Sequence, residues 1–351
     1  MFSLVKKVIG VSVCICLLAS LMQKAEAQEY RILVLPSGGA TGIIPATLLE
    51  RLEKETARPV YKLFDEIWGS SIGAMTAALL TTPKNSLDLQ NNSESVSSAN
   101  EPRSAAEVVQ FIENIFSHYH RAAHLRGSFR SLIQTSAKLN ETLIPIRILS
   151  AKVTEWRAGI DPKKTELAAF NKENDGDLSL SSITCGSCSN PPIHRTEPLH
   201  LGNGEYSYCI DAGHEFCGSS SCMNPMFTFM KQFSRSIDLE HDTVSLFFLG
   251  NGWVNLHSSW GTQGTVTIQG HDDQFISVNL FNVGVELTPA IQEWKRDTWT
   301  GWAFGSFQSN YLLNNLAGIG AIPTRMMKRI AEDVAQNSFV FQAMVDYLRR
   351  D

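Results

Sequence analysis

The chain has 351 residues, 43% of them hydrophobic, and a formal net charge of −5. That length suits one large domain, or one domain with appendages, and gives ample material for a core. The acidic balance argues against a nonspecific nucleic-acid binder and against electrostatic docking on anionic membranes, so any contact with lipid has to be apolar.

Taken in order, the first feature is a leader. Lys6-Lys7 is a basic start, Val8 to Met22 is apolar, and Ala25-Glu26-Ala27 precedes Gln28. This reads as a secretory signal peptide with an A-x-A cleavage site over residues 1–27. The apolar run falls short of the ~20 residues of a membrane span, and an uncleaved anchor is the alternative. Cys14 and Cys16 lie in that run without the small residues that lipid attachment needs. Cleavage leaves 324 residues and, with three lysines and one glutamate removed, a net charge of −7. The expectation is an exported protein, periplasmic or secreted, whose folded part is residues 28–351.

Arg31 to Leu35 is short and apolar after its first residue, as a buried strand is. Pro36-Ser37-Gly38-Gly39-Ala40-Thr41-Gly42 follows, and Pro45 suits the first position of a helix ending near Glu55. A glycine-rich loop between strand and helix can hold phosphate or the oxyanion of an acyl-transfer intermediate. The spacing is not G-x-G-x-x-G and no G-K-[ST] is present, which disfavours phosphate.

Phe64 to Trp68 reads as a second strand and Ala74 to Leu80 as a helix. Between them stands Gly69-Ser70-Ser71-Ile72-Gly73. Glycines two residues either side of Ser71 permit the sharp turn that lifts a serine hydroxyl from a sheet as a nucleophile. A small-residue turn without chemistry is the bland alternative. With this turn close by, the oxyanion reading of Gly38 and Gly39 is the better one.

Asn85 to Arg103 is polar and reads as a surface loop. Ser104-Ala105-Ala106-Glu107 is a capping box, opening a helix over about 104–120. Ile146 to Val153 reads as a strand and Asn171 to Asp177 as a polar turn. Cys185-Gly186-Ser187-Cys188 has metal-ligand spacing, but no second such pair exists, so no metal is expected. After cleavage the cysteines are Cys185, Cys188, Cys209, Cys217 and Cys222, an odd number. Export makes disulfides possible, and Cys217 and Cys222 flank a loop able to close on itself. Tyr206 to Ile210 reads as a strand that ends in Asp211-Ala212-Gly213, a carboxylate within reach of a nucleophile or else an ordinary turn. Further strands are expected at Thr243 to Leu249, Gly264 to Gln269 and Phe275 to Val283. Trp294, Trp299, Trp302, Phe304 and Phe307 form an aromatic cluster, either local packing or an interfacial patch. Thr324 to Leu348 reads as one helix with an apolar stripe.

Three of these motifs, in this order, resemble the patatin-like phospholipases. Ser37 to Ala46 is similar to that family's glycine loop and helix start, Phe64 to Gly73 to its serine turn, and Ile210 to Gly213 to its aspartate motif. Weaker echoes are Ser187 to Pro192, Asn224-Pro225 and the Gly-x-Gly turn that closes Val244 to Gly252. The resemblance covers roughly residues 30–255. Two loop residues depart from it, because the family's first aspartate is Pro36 here and its loop arginine, taken to brace the loop, is Thr41. The third motif reads Asp-Ala-Gly, where Asp-Gly is usual.

The resemblance implies a three-layer α/β/α fold with a mainly parallel central sheet, a core over 28–255, and an extension over 256–351 that ends in helix. It implies a Ser71–Asp211 dyad, Gly38 and Gly39 as the oxyanion hole, and no cofactor or metal. The substrate would be a phospholipid or lysophospholipid met at a membrane surface; no protein partner is indicated. A Ser-Asp-His triad using His241, His257 or His271 is the chemical rival. A catalytically weak lipid-binding or virulence-type protein on the same scaffold is the functional one.

Overall fold

The computed structural model describes residues 29–84, 100–117, 137–157, 161–189, 198–200, 206–212, 243–252, 262–269, 275–297 and 322–350. Its strands are β1 (Glu29–Leu35), β2 (Glu66–Ser70), β3 (Ile146–Arg157), β4 (Asp161–Asn171), β5 (Pro198–His200), β6 (Tyr206–Ile210), β7 (Thr243–Leu249), β8 (Thr262–Gln269) and β9 (Phe275–Val283). They form one sheet in the order β5-β6-β3-β2-β1-β7-β9-β8, with β4 also paired to β3. The five central strands β3, β2, β1, β7 and β9 are parallel. The flanks are antiparallel. The fold is therefore of the three-layer α/β/α class with a mainly parallel centre.

The helices are α1 (Ile43–Thr56), α2 (Ile72–Thr81), α3 (Ala105–Ser117), α4 (Lys172–Asp175), α5 (Leu180–Cys188), α6 (Thr288–Asp297), α7 (Thr324–Asn337) and α8 (Phe339–Leu348). Alternation along β1 explains why its run is apolar throughout. Leu33 and Leu35 join the main core with the helices, while Ile32 and Val34 pack in a second cluster with Trp68, Leu149 and Val278. A central parallel strand buried on both faces favours a continuous apolar run.

The structure corrects three expectations and adds one strand. The terminal helix is two, because Ser338 leaves the helical region (ψ 117°) and its hydroxyl accepts the Phe341 N–H at 3.3 Å. Pro45 is the third residue of α1, not the first; its missing N–H still falls among the unpaired donors of the first turn. The polar turn at 171–177 contains α4, capped by the Asn171 side chain. β4 was not anticipated at all, since Asp161-Pro162-Lys163-Lys164 has turn and charge character, not strand propensity.

Candidate active site

Ser71 follows β2 and precedes α2, with φ 54° and ψ −124°. Such a conformation strains any residue with a Cβ, by ~1–3 kcal/mol. The flanking glycines are steric requirements. A Cβ on Gly69 would lie 2.4 Å from the Gly73 carbonyl oxygen, and one on Gly73 would lie 2.2 Å from the Leu35 oxygen. A lock offsets the strain: the Ser71 N–H donates to Ser187 Oγ at 2.8 Å, and that hydroxyl donates to the Leu149 carbonyl at 2.6 Å. The Ser71 amide is thus occupied by Ser187.

Strand pairing brings Asp211 to the same point. β4 runs along one edge of β3 from Arg147 to Arg157. β2, paired to Ile146–Leu149, and β6, paired to Ala151–Val153, must then share the other edge. β2 is parallel to β3 and β6 antiparallel, so the two strands run toward each other and their carboxyl ends meet beside Ser150. Ser71 is the residue after β2 and Asp211 the residue after β6. The Ser150 hydroxyl donates to the Ile210 carbonyl at 2.8 Å, and the Asp211 N–H donates to the Ser189 carbonyl at 2.7 Å. Both residues are buried, at 7% and 8% exposure.

Cys188 is hydrogen-bonded to the Ser71 side chain and feels the charge of Asp211. Burial raises its thiol pKa well above the usual value, the nearby Asp211 carboxylate and Cys185 raise it further, and a hydrogen bond with the Ser71 side chain lowers it in part. The end of α5 therefore meets both residues through three consecutive positions: Ser187 holds the Ser71 amide, Cys188 bonds the Ser71 side chain, and the Ser189 carbonyl accepts the Asp211 N–H.

The glycine loop lies against this turn. Gly39, at φ 56°, opens a 3₁₀ turn over Gly39–Gly42. A Cβ on Gly42 would be 2.6 Å from Ile72 of α2, so the glycine loop and the Ser71 turn are in direct contact. The Thr41 hydroxyl donates to the Gly38 carbonyl at 2.8 Å, and the Thr41 N–H donates to the same oxygen at 3.1 Å. The Asn251 side-chain amide donates to the Ser37 carbonyl. Thr41, in the position of the family's arginine, is itself part of the bracing.

Sequence reading found the three motifs but gave no role to Ser187, Ser189 or Asn251. The small-residue run and the Gly-x-Gly turn were the available signals; only the fold says what they touch. Cys185, Cys188 and Cys209 are buried and joined in no disulfide, and no cluster of three or more metal-ligating side chains occurs among the described residues. Trp294 is fully buried on α6 beneath the core, which removes it from any interfacial patch. Gly213, Cys217, Cys222, Asn224-Pro225, the three histidines, the leader and the other four aromatics lie outside the described residues.

Comparison with known proteins agrees with the geometry. The patatin-like phospholipase family model matches residues 33–217. A curated relative, the Arabidopsis thaliana protein named Phospholipase A I, is 36% identical over 58 residues, which is 16% of this chain and 4% of that protein. The chain therefore spans only a small part of that relative's length. A family match over more than half of the chain, embracing the residues that the fold gathers at one end of its sheet, makes this chain a member of the patatin-like phospholipase family.

Proposed function

We propose that the protein hydrolyses carboxylic esters of lipids, with phospholipase A or lysophospholipase activity, through a Ser71–Asp211 dyad and an acyl-enzyme. The observation that carries this reading is the strained φ of Ser71 with Asp211 delivered to the same point of β3. Backbone strain of this kind persists only where the surroundings enforce it, and it clusters at sites of chemistry.

Asp211 takes the proton of the Ser71 hydroxyl as Oγ attacks the ester carbonyl. The carbonyl π electrons move to oxygen, and the Gly38 and Gly39 N–H groups receive that charge. Collapse breaks the bond to the alcohol oxygen, which takes the proton from Asp211 and departs as lysolipid or glycerol derivative. Water then gives a proton to Asp211 and attacks the acyl-enzyme. Collapse releases the fatty acid and returns the proton to Ser71. Because the Ser71 amide is held by Ser187, the oxyanion donors must come from elsewhere, and the glycine loop is the neighbouring source. One such donor contributes ~3 kcal/mol to transition-state stabilisation.

We also propose export through cleavage after Ala27 and transient contact with a membrane surface. Among the described residues no helix is long and apolar enough to cross a membrane. The N-terminal sequence of protein recovered from culture fluid or periplasm tests the cleavage.

For the chemistry, fatty-acid release is measured on a mixed phospholipid panel, with fluorophosphonate labelling in parallel. Wild type is expected to release acid and be labelled. Ser71→Ala is expected to do neither, and Asp211→Asn to lose about 10²- to 10⁴-fold in rate, the usual share of a general base. A wild-type protein that sediments with vesicles but stays unlabelled would favour the binding-only reading. Loss of acylation in a variant of His241, His257 or His271 would favour the triad.

A further inference from the structure

We infer that Asn251 and Thr41 are positioning residues that aim the Gly38 and Gly39 N–H groups at the oxygen on which charge develops; this rests on the hydrolase reading above. A trans peptide group is planar, with its C=O and N–H pointing in opposite directions. The Ser37 carbonyl and the Gly38 N–H belong to one such group, and the Gly38 carbonyl and the Gly39 N–H to the next. Whatever holds each carbonyl therefore sets the direction of the amide behind it.

Asn251 holds the first group by donating to the Ser37 carbonyl. The pairing of β1 with β7, ending at Val34 and Phe248, brings Ser37 opposite Asn251 when continued for three residues. β1 lies between β7 and β2. A Ser37 carbonyl turned to the β7 side leaves the Gly38 N–H turned to the β2 side, where Ser71 stands. Thr41 holds the second group through two donors, its hydroxyl and its own N–H, both on the Gly38 carbonyl.

Both braces are buried, at 4% exposure for Thr41 and 7% for Asn251, so water competes little. They also fill the space beside Gly38. A Cβ there would lie 2.3 Å from Thr41 Oγ1 and 2.4 Å from Asn251 Nδ2. A hydrogen-bonded carbonyl further polarises its peptide group and strengthens the N–H as a donor. Two short side chains, one from a strand end 214 residues away along the chain, thus do the bracing assigned to the family's loop arginine. Asn251 lies beyond the segment matched by the family model.

The test compares wild type with Thr41→Val, Thr41→Ser, Asn251→Ala and Asn251→Asp. It reads kcat and KM on a p-nitrophenyl acyl ester, the inhibition constant of an alkyl trifluoromethyl ketone, and the melting temperature. The ketone forms a tetrahedral oxyanion on a serine nucleophile, so its affinity reports donor alignment, whereas KM does not. Thr41→Val and Asn251→Ala are expected to lower kcat about 10- to 100-fold and to weaken the ketone in parallel, with KM nearly unchanged. Thr41→Ser restores both, and Asn251→Asp, which sets a carboxylate against a carbonyl, is the worst of the four. Folded variants with wild-type kcat and ketone affinity would overturn the inference while leaving the hydrolase reading intact. A rise in KM with unchanged kcat, or failure of Thr41→Ser to rescue, would also overturn it. A folded wild type inert to both ester and ketone would overturn the hydrolase reading and this inference with it.

Discussion

Ser71 holds a backbone angle that glycine adopts freely and other residues resist. Replacing it by glycine should therefore relieve strain even as activity disappears. Ser71→Gly is expected to melt above Ser71→Ala by a few degrees, corresponding to ~1 kcal/mol. An equal or lower midpoint would show that the turn stores no strain. A second residue-scale expectation concerns the buried thiols. Burial, eased in part by Ser150 and Lys152, raises the Cys209 pKa from 9.0 to about 11. The unfolded chain loses this proton near pH 9 and the folded protein retains it longer, so the stabilising effect is complete below pH 9 and is lost between pH 9 and 11. The loss amounts to ~2–3 kcal/mol, and the Cys188 shift acts in the same direction. Urea midpoints should fall across that window, and Cys209→Val should flatten the fall; an unchanged slope in that variant would refute the attribution. At this scale the sequence was legible where chemistry is local. Ser71, Gly69 and Gly73 sit within five residues, and their steric roles follow from the turn itself. Ser187 and Asn251 act across 116 and 214 residues, and no local pattern carries such a contact.

Among elements, those with a single strong period or a cap were readable in advance. The Ser104 capping box is present as a reciprocal pair: the Ser104 N–H donates to Glu107 at 2.7 Å, and the Glu107 N–H donates to the Ser104 hydroxyl at 3.3 Å. β7 and β9 begin and end where their apolar runs do. β4 escaped notice because it is an edge partner of β3, and edge strands tolerate charge and proline that a central strand does not. The break between α7 and α8 escaped because the apolar stripe continues across it: Met327 and Val334 before, Phe341 and Met344 after, all pack on the main core. Only the serine marks the change of direction. Ser338→Ala is expected to cost about 1 kcal/mol, seen as a lower urea midpoint with an unchanged slope. No loss would mean that packing alone sets the corner.

The whole molecule extends well past the segment by which its family is recognised. β7 pairs with β1 and β9 with β7, so the parallel sheet is completed by strands beyond residue 217. α7 and α8 then close the core over α1 and β9 through Met326, Met327, Phe341 and Met344, all buried. Phe247 stacks on Phe281 at 4.9 Å with Tyr347 against both, and the Tyr347 hydroxyl reaches Glu29 at the start of β1. Arg349 is joined to the end of α1 through the Glu55 carbonyl at 2.7 Å. A chain ended after Pro323 is accordingly expected to lose cooperative melting and ester hydrolysis together; a truncated protein that still melts sharply would show that the C-terminal helices are an ornament.

The head-on approach of β2 and β6 beside Ser150 has a consequence for how such a fold can vary. The separation of Ser71 and Asp211 along the sheet is gauged by the width of one residue on a neighbouring backbone, not by the length of any connection. Connections elsewhere in the chain can differ in length while Ser71 and Asp211 keep their spacing, as two bookends keep theirs on a single shelf.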